Sequence, residues 1–93
     1  MAYTLKITAQ FKRDFRLMLR QGQRIELLKE VVGKLANGEP LPEPCHDHAL
    51  TGNLAGHREC HVAPDWLLIY RIFNDILVLE LTRTGTHAAL FRK

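Results

Sequence analysis

Five histidines, His46, His48, His57, His61 and His87, stand in a chain of only 93 residues. Side chains of this type do two kinds of work, metal ligation and proton transfer. The spacings His46-x-His48 and His57-x-x-x-His61 both invite the metal reading. His57 and His61, however, fall in a stretch with strand character, where residues four apart share a face but lie about 13 Å from each other. A single zinc ion, with bonds to nitrogen of about 2 Å, does not bridge that gap. His46 and His48 lack a clear third protein ligand, so neither a metal site nor any cofactor is expected.

Proton transfer fits the histidines better, because an unperturbed imidazole titrates at about pH 6.5 and can donate or accept at cellular pH. RNA carries its own nucleophile, the 2′-hydroxyl. An enzyme that cuts it without metal needs a base beside that hydroxyl, an acid beside the leaving 5′-oxygen, and positive charge near the phosphate. His48, His61, Asp65 and His87 are candidates for the proton transfers, and Arg83 for the charge. Trp66 and Phe91 are candidates to stack on a base of single-stranded RNA. Each has a plainer alternative. Asp65, in Ala63-Pro64-Asp65-Trp66, can fix a turn through its backbone. Arg83 can be a charge at a strand end, and aromatic residues are more often core.

The elements that must position these groups follow from periodicity. Residues 3–7 alternate apolar and polar and read as a strand. Thr8 then suits a helix N-cap, with Phe11, Phe15, Met18 and Leu19 on one face and Lys12, Arg13, Arg16 and Arg20 on a neighbouring arc. After a break at Gly22, Ile25, Leu28, Val32 and Leu35 mark a second amphipathic helix ended by Asn37-Gly38. Pro40, Pro42 and Pro44 exclude helix interior and central strand and predict a loop running to His46-Asp47-His48. Three strands are expected next: His57 to Val62, Trp66 to Phe73, and Ile76 to Arg83 after a two-residue Asn74-Asp75 turn. The run Trp66 to Phe73 is apolar on both faces and reads as the central strand. Residues 84–91 read as a turn-like tail that returns His87 and Phe91 to the sheet. The expected fold class is α+β in the order β-α-α-β-β-β: a small, mainly antiparallel sheet packed by an N-terminal helical hairpin, in one domain over 1–93.

Composition is consistent with this. Apolar residues make up 46% and charged residues 25% of the chain, the profile of an ordinary globular protein. No apolar run reaches the roughly 18 residues of a membrane span, and the first residues lack the apolar stretch of a secretory signal, so a cytoplasmic location with no membrane partner is expected. Cys45 and Cys60 lack Cys-x-x-Cys spacing and are expected to be free. The net charge is +3, and it is unevenly spread: residues 1–37 hold eight Lys/Arg against three Asp/Glu, and residues 38–93 hold five against seven. A basic surface is thus separated along the chain from the histidines, which suits a protein that grips a polyanion with one part and does chemistry with another.

The stretch from Asp47 to Phe91 resembles the YafQ-type branch of the RelE/ParE toxin superfamily. The resemblance is carried by Asp47-His48-x-Leu50, by Arg58-Glu59-x-His61-Val62-x-Pro64-Asp65-Trp66, by Ile69-Tyr70, and by Arg83-Thr84-Gly85-Thr86-His87-Ala88-Ala89-Leu90-Phe91. It implies a RelE-like fold and a toxin of a type II toxin–antitoxin system that enters the A site of the 70S ribosome and cleaves messenger RNA there as a metal-independent endoribonuclease. It further implies a cognate antitoxin of ribbon-helix-helix type, whose complex with the toxin binds operator DNA. The family's functional positions fall on His48, His61, Asp65, Trp66, His87 and Phe91, and its ribosomal RNA contacts on the basic residues Lys12, Arg13, Arg16 and Arg20. His46 and His57 lie outside the motif and are read as surface or supporting residues. The alternative is a ParE-like toxin that inhibits DNA gyrase without cutting RNA, against which the retention of all four proton-carrying positions argues.

Overall fold

The computed structural model describes residues 3–91. Strand β1 (Thr4–Ile7) leads into helix α1 (Ala9–Arg20), whose first turn is capped by Thr8: its hydroxyl oxygen accepts from the Phe11 N–H at 3.0 Å. Gly22, at φ +86°, turns the chain into helix α2 (Ile25–Ala36), and Gly38, at φ +72°, ends that helix with the Glu39 N–H reaching back to the Lys34 carbonyl. Both glycines hold left-handed backbone that side chains resist. The proline-rich segment contains one short 3₁₀ turn at Glu43–Cys45 and then a two-residue strand, β2 (His48–Ala49). Strands β3 (Arg58–Ala63), β4 (Trp66–Phe73) and β5 (Val78–Gly85) follow, and the chain closes in helix α3 (His87–Phe91).

The sheet is five-stranded in the order β1-β5-β4-β3-β2. All neighbours pair antiparallel except β1 and β5, which run parallel. The class is therefore α+β with a mixed, mainly antiparallel sheet, and β4 is its central strand. The expected order omitted β2 and α3, both very short. It also began the last strand too early: Asn74–Leu77 is a four-residue turn, with Leu77 at φ +51° and Ile76 63% exposed. Apolar residues there signalled a strand that the turn geometry excludes.

Side chains alternate across β3, β4 and β5 and sort into two faces. One face carries Cys60, Trp66, Leu68, Tyr70, Leu79 and Leu81, packed against Phe11 and Met18 of α1 and Leu28, Val31 and Leu35 of α2. Leu19, expected on the apolar side of α1, is instead 40% exposed. The opposite face carries Glu59 and His61 on β3 and the buried Leu67 and Ile69 on β4. The helical hairpin leaves this face uncovered. Gly85, the β5 partner of Leu67, lies against Leu90 and Ala89, so α3 folds back over one end of it.

Two polar contacts fasten the helical layer to the sheet. β1 is half the length of β5, which leaves the edge of β5 beyond Leu81 without a strand neighbour. α1 fills that role. Thr8 donates its hydroxyl to the Thr82 carbonyl, while the Asp14 carboxylate accepts from the Thr84 N–H and from Arg83 Nε and Nη2 at 3.1 and 3.0 Å. Deeper in, the Trp66 indole N–H donates to the Thr84 hydroxyl at 2.8 Å, and that hydroxyl donates to the Leu67 carbonyl at 2.6 Å. Both side chains are buried, so the indole would lose its only solvent-free partner if Thr84 were changed.

Burial alone would raise the Asp14 pKa, but the hydrogen bonds from Arg83, Gln10 and the Thr84 N–H outweigh it and hold the carboxyl below its ordinary value. A carboxylate depressed in the folded state contributes stability above its unfolded pKa, and the contribution is lost as pH falls through the folded value. Asp14→Asn should therefore lower stability at pH 7 by about 1–2 kcal/mol, discounted for the partly exposed guanidinium, and flatten the acid side of the stability–pH curve below about pH 4. Denaturant titrations from pH 3 to 7 read both effects, and an unchanged acid slope would remove Asp14 as the fastening. Trp66→Phe should cost about 1–3 kcal/mol, because it removes the indole donor from the buried Thr84 hydroxyl and leaves part of the indole's volume unfilled, as the same titration at pH 7 would measure.

Candidate functional site

The face opposite the helical hairpin holds most of the candidate residues, and strand register explains why. β2 pairs with β3 so that His48 lies opposite Glu59. Continued two residues toward the preceding turn, that antiparallel register sets His46 opposite His61. Cross-strand partners project to the same face. The contacts agree: His48 Nε2 lies 3.5 Å from Glu59 Oε1, an ion pair only when the imidazole carries its second proton, and the His46 and His61 rings meet edge to face at 5.4 Å.

On the other side of His61 the same logic runs across the sheet. His61 pairs with Leu67, and Leu67 with Gly85. Two residues later α3 opens with His87, whose ring meets that of His61 at 5.8 Å. Asp65 enters from the Pro64-Asp65 turn that joins β3 to β4. Its Oδ1 accepts from the His87 backbone N–H at 3.2 Å and contacts His87 Nδ1 at 3.0 Å. These bonds, the Nδ1 one first, hold the Asp65 carboxyl below its ordinary pKa. A carboxylate only accepts, so the proton of His87 resides on Nδ1, and Nε2 is the atom presented outward. His48 is fixed the same way, because its Nδ1 faces the His46 carbonyl oxygen at 2.7 Å.

His87 is therefore in contact with both His61 and Asp65, and His48 stands one diagonal position from His61 across the β2–β3 pair. His46, read from sequence as a surface or supporting residue, is instead part of the row. It sits in left-handed backbone at φ 48°, ψ 48°, directly after the 3₁₀ turn. The next residue anchors the loop: Asp47 Oδ1 accepts from the Tyr70 hydroxyl and from Arg58 Nε at 3.1 Å. Burial and then the Asp47 hydrogen bond push the Tyr70 phenol up, so it stays a donor. Asp47, Glu59 and Asp14 are the acidic partners that sequence reasoning left without roles.

Phe91 lies on α3 four residues from His87, one turn along the same side, and is half-buried. Arg83 is held by Asp14 along its Nε–Nη2 edge, with about a third of its side chain exposed. Trp66 is a correction. It is buried on the opposite face beneath the helices, with its indole N–H already satisfied, and offers no surface on which a base could stack. An apolar doubly covered strand does not reveal from sequence which face a given aromatic occupies.

Lys12, Arg13, Arg16 and Arg20 are all exposed on α1. Lys12 and Arg16, with Lys29 of α2, flank an open groove of about 520 Å³ between the helices and β1, lined by Leu5, Ile7, Phe15 and Val32. Leu5 and Ile7 are 45% and 43% exposed there. Both cysteines are free, and burial pushes the Cys60 thiol up to about 12, which makes it an inert core group. Among the described residues no three His, Cys, Asp or Glu side chains converge as a metal-ligand set, and no helix is long and apolar enough to cross a membrane.

Comparison with known proteins gives one answer at the level of sequence and of fold. Residues 3–92 match the family model described as the bacterial toxin of type II toxin–antitoxin system, YafQ. The mRNA interferase toxin YafQ of Escherichia coli K12 is 40% identical over 88 residues, 94% of each chain. The crystal structure of the E. coli DinJ–YafQ toxin–antitoxin complex superposes with a TM-score of 0.88 at 37% identity, covering 98% of this chain and 99% of that one. A metal-bound toxin from Helicobacter pylori superposes at 0.90 with 40% identity, covering 98% and 100%. The mixed sheet with a helical hairpin on one face is thus the architecture of a known toxin fold, and the chain belongs to the YafQ family of type II toxin–antitoxin toxins.

Proposed function

We propose that this protein is an endoribonuclease that cuts messenger RNA in the ribosomal A site by metal-free acid–base chemistry. The observation that carries the proposal is the double hydrogen bond from His87 to Asp65, which orients Nε2 of an exposed imidazole beside a second histidine. One base removes the 2′-hydroxyl proton, the 2′-oxygen attacks the adjacent phosphorus, and the 5′-oxygen leaves with a proton from the acid, giving a 2′,3′-cyclic phosphate. His87, with Nε2 outward, and His48, with Nε2 beside the Glu59 carboxylate, can fill the two proton-carrying roles, with His61 between them. Asp65 keeps His87 in one tautomer and neutralises its charged form. Arg83, whose outer nitrogen is free of the Asp14 contact, supplies positive charge to the phosphate, and Phe91 supplies a face for a base.

The relatives support the same reading, one being an mRNA interferase toxin and another a toxin crystallised with its antitoxin. By that analogy the present chain is held inactive by an antitoxin. The groove beside α1 suits an amphipathic, acidic segment, because it joins an apolar floor to Lys12, Arg16 and Lys29. The same cations suit phosphates of ribosomal RNA. A partner lying in the groove would then compete with the ribosome for them.

The reading is tested by cleavage of message by purified protein with and without ribosomes, and in excess EDTA. Cutting is expected only with ribosomes and undiminished by the chelator; loss in EDTA would replace the mechanism with a metal-dependent one. His87→Ala should lower the cleavage rate by about 10²–10⁴ while the melting curve stays in place. A folded variant that cuts as fast as the parent would take His87 out of the mechanism. Ribosome binding should weaken steeply with salt, and replacing Lys12 and Arg16 together by alanine should reduce the log–log salt slope by about one per residue removed. An unaltered slope would move the RNA contact elsewhere.

A further inference from the structure

Beside the histidine row lies a cleft of about 410 Å³, with Pro44, Cys45 and His46 on one side and His61, Val62 and Pro64 on the other. Its size falls in the range of small-molecule sites, roughly 300–1,000 Å³. Apolar and proline surface forms most of its wall, and two imidazoles form the rim facing His87. Such a lining suits a flat, weakly polar group with a π-face and hydrogen-bonding edges, which describes a nucleobase.

His46 is built into this rim in a manner that burial does not explain. Its ring is exposed, yet its backbone is held in the left-handed region, a conformation unfavourable for a residue with a side chain. The chain is tied down on both sides: the His46 N–H bonds back to the Glu43 carbonyl across the 3₁₀ turn, and Asp47 is clamped by Tyr70 and Arg58. The result sets the ring edge to face against His61, which itself touches His87. A fixed exposed ring at the mouth of a cleft, one residue from the proton-transfer groups, is placed to meet whatever adjoins the reacting phosphate.

We propose that this cleft is a subsite for the nucleobase next to the cleaved bond, and that His46 is its specificity-determining residue. The inference rests on the ribonuclease reading above and adds the part that selects sequence. The base enters between the 3₁₀ turn and the β3–β4 turn and stacks on the His46 ring. Its edge meets the backbone around Val62, the residue bulged out of register between His61 and Ala63. Occupation of the cleft draws the adjoining phosphate toward His61 and His87.

The test maps cut ends on ribosomes programmed with messages whose A-site codons differ at single positions, for the parent, His46→Asn and His46→Phe. Asparagine tolerates left-handed backbone, so that variant removes the ring while keeping the loop. The parent should favour some bases at one codon position. His46→Asn should shrink that preference about tenfold, chiefly by slowing the favoured codons, and the aromatic His46→Phe should restore most of it. A parent with no preference, or a preference that His46→Asn leaves unmoved, overturns the subsite while the nuclease stands. A parent that cuts no message on ribosomes overturns the nuclease reading and the subsite with it.

Discussion

The structure depends on one constraint, the alternation of side chains across a sheet whose faces differ, one covered by the helical hairpin and the other only at one end by α3. Apart from the bulge at Val62, the facing of the β3 residues and of those they pair with on β4 is then forced. Cys60, Leu68 and Tyr70 must meet the helical hairpin, so Glu59 and His61 must face away from it. A one-residue slip of register would bury the histidine and expose the core, a penalty of several fully buried apolar side chains at about 1.5–3 kcal/mol each. Packing on the hidden face thus fixes which titratable residues stand on the other. The histidine row is placed by hydrophobic burial that it takes no part in.

Within that frame, acidic residues act as fasteners for basic and aromatic ones. Asp14 ties α1 to the unpaired edge of β5 and holds Arg83. Asp47 joins the proline-rich loop to Tyr70 in the central strand and to Arg58. Asp65 fixes His87 at the start of α3. Each joins two segments far apart in sequence, and each sits where regular backbone hydrogen bonding stops. Asp14 also serves the incomplete sheet edge directly, because the Thr84 N–H has no further strand to pair with and donates to its carboxylate.

Much of this was legible beforehand, and the exceptions have physical causes. The 3.6-residue period located α1 and α2, Thr8 and the two glycines marked their ends, and the apolar run at Trp66–Phe73 marked the central strand. His61, Asp65 and His87 were legible as candidates through residue type and motif, though not as a contact. β2 escaped because two residues carry no period and three prolines precede them. α3 escaped for the same reason of length, although Thr86 before Ala-Ala-Leu is a capping signal: its hydroxyl accepts from the Ala89 N–H. The burial of Trp66 under the hairpin is not legible because an apolar run on both faces conceals which face each residue takes. The place of His46 in the row is not legible because its partner across the sheet is set by β2, too short to leave a period.

His46 marks where sequence motifs stop being informative about a site. A motif records residues close in the chain or shared with relatives, whereas His46 reaches the row through register: a two-residue strand sets His48 opposite Glu59, and the next pair follows. The pairs His46-x-His48 and Glu59-x-His61 are the visible trace of this arrangement, two stretches of alternating polar residues whose common face is the one away from the helical hairpin. Alternating titratable residues on adjacent short strands therefore point to an uncovered sheet face more directly than histidine count does. Such a face leaves titratable side chains in contact with water and with one another, on the side of the sheet away from the hairpin.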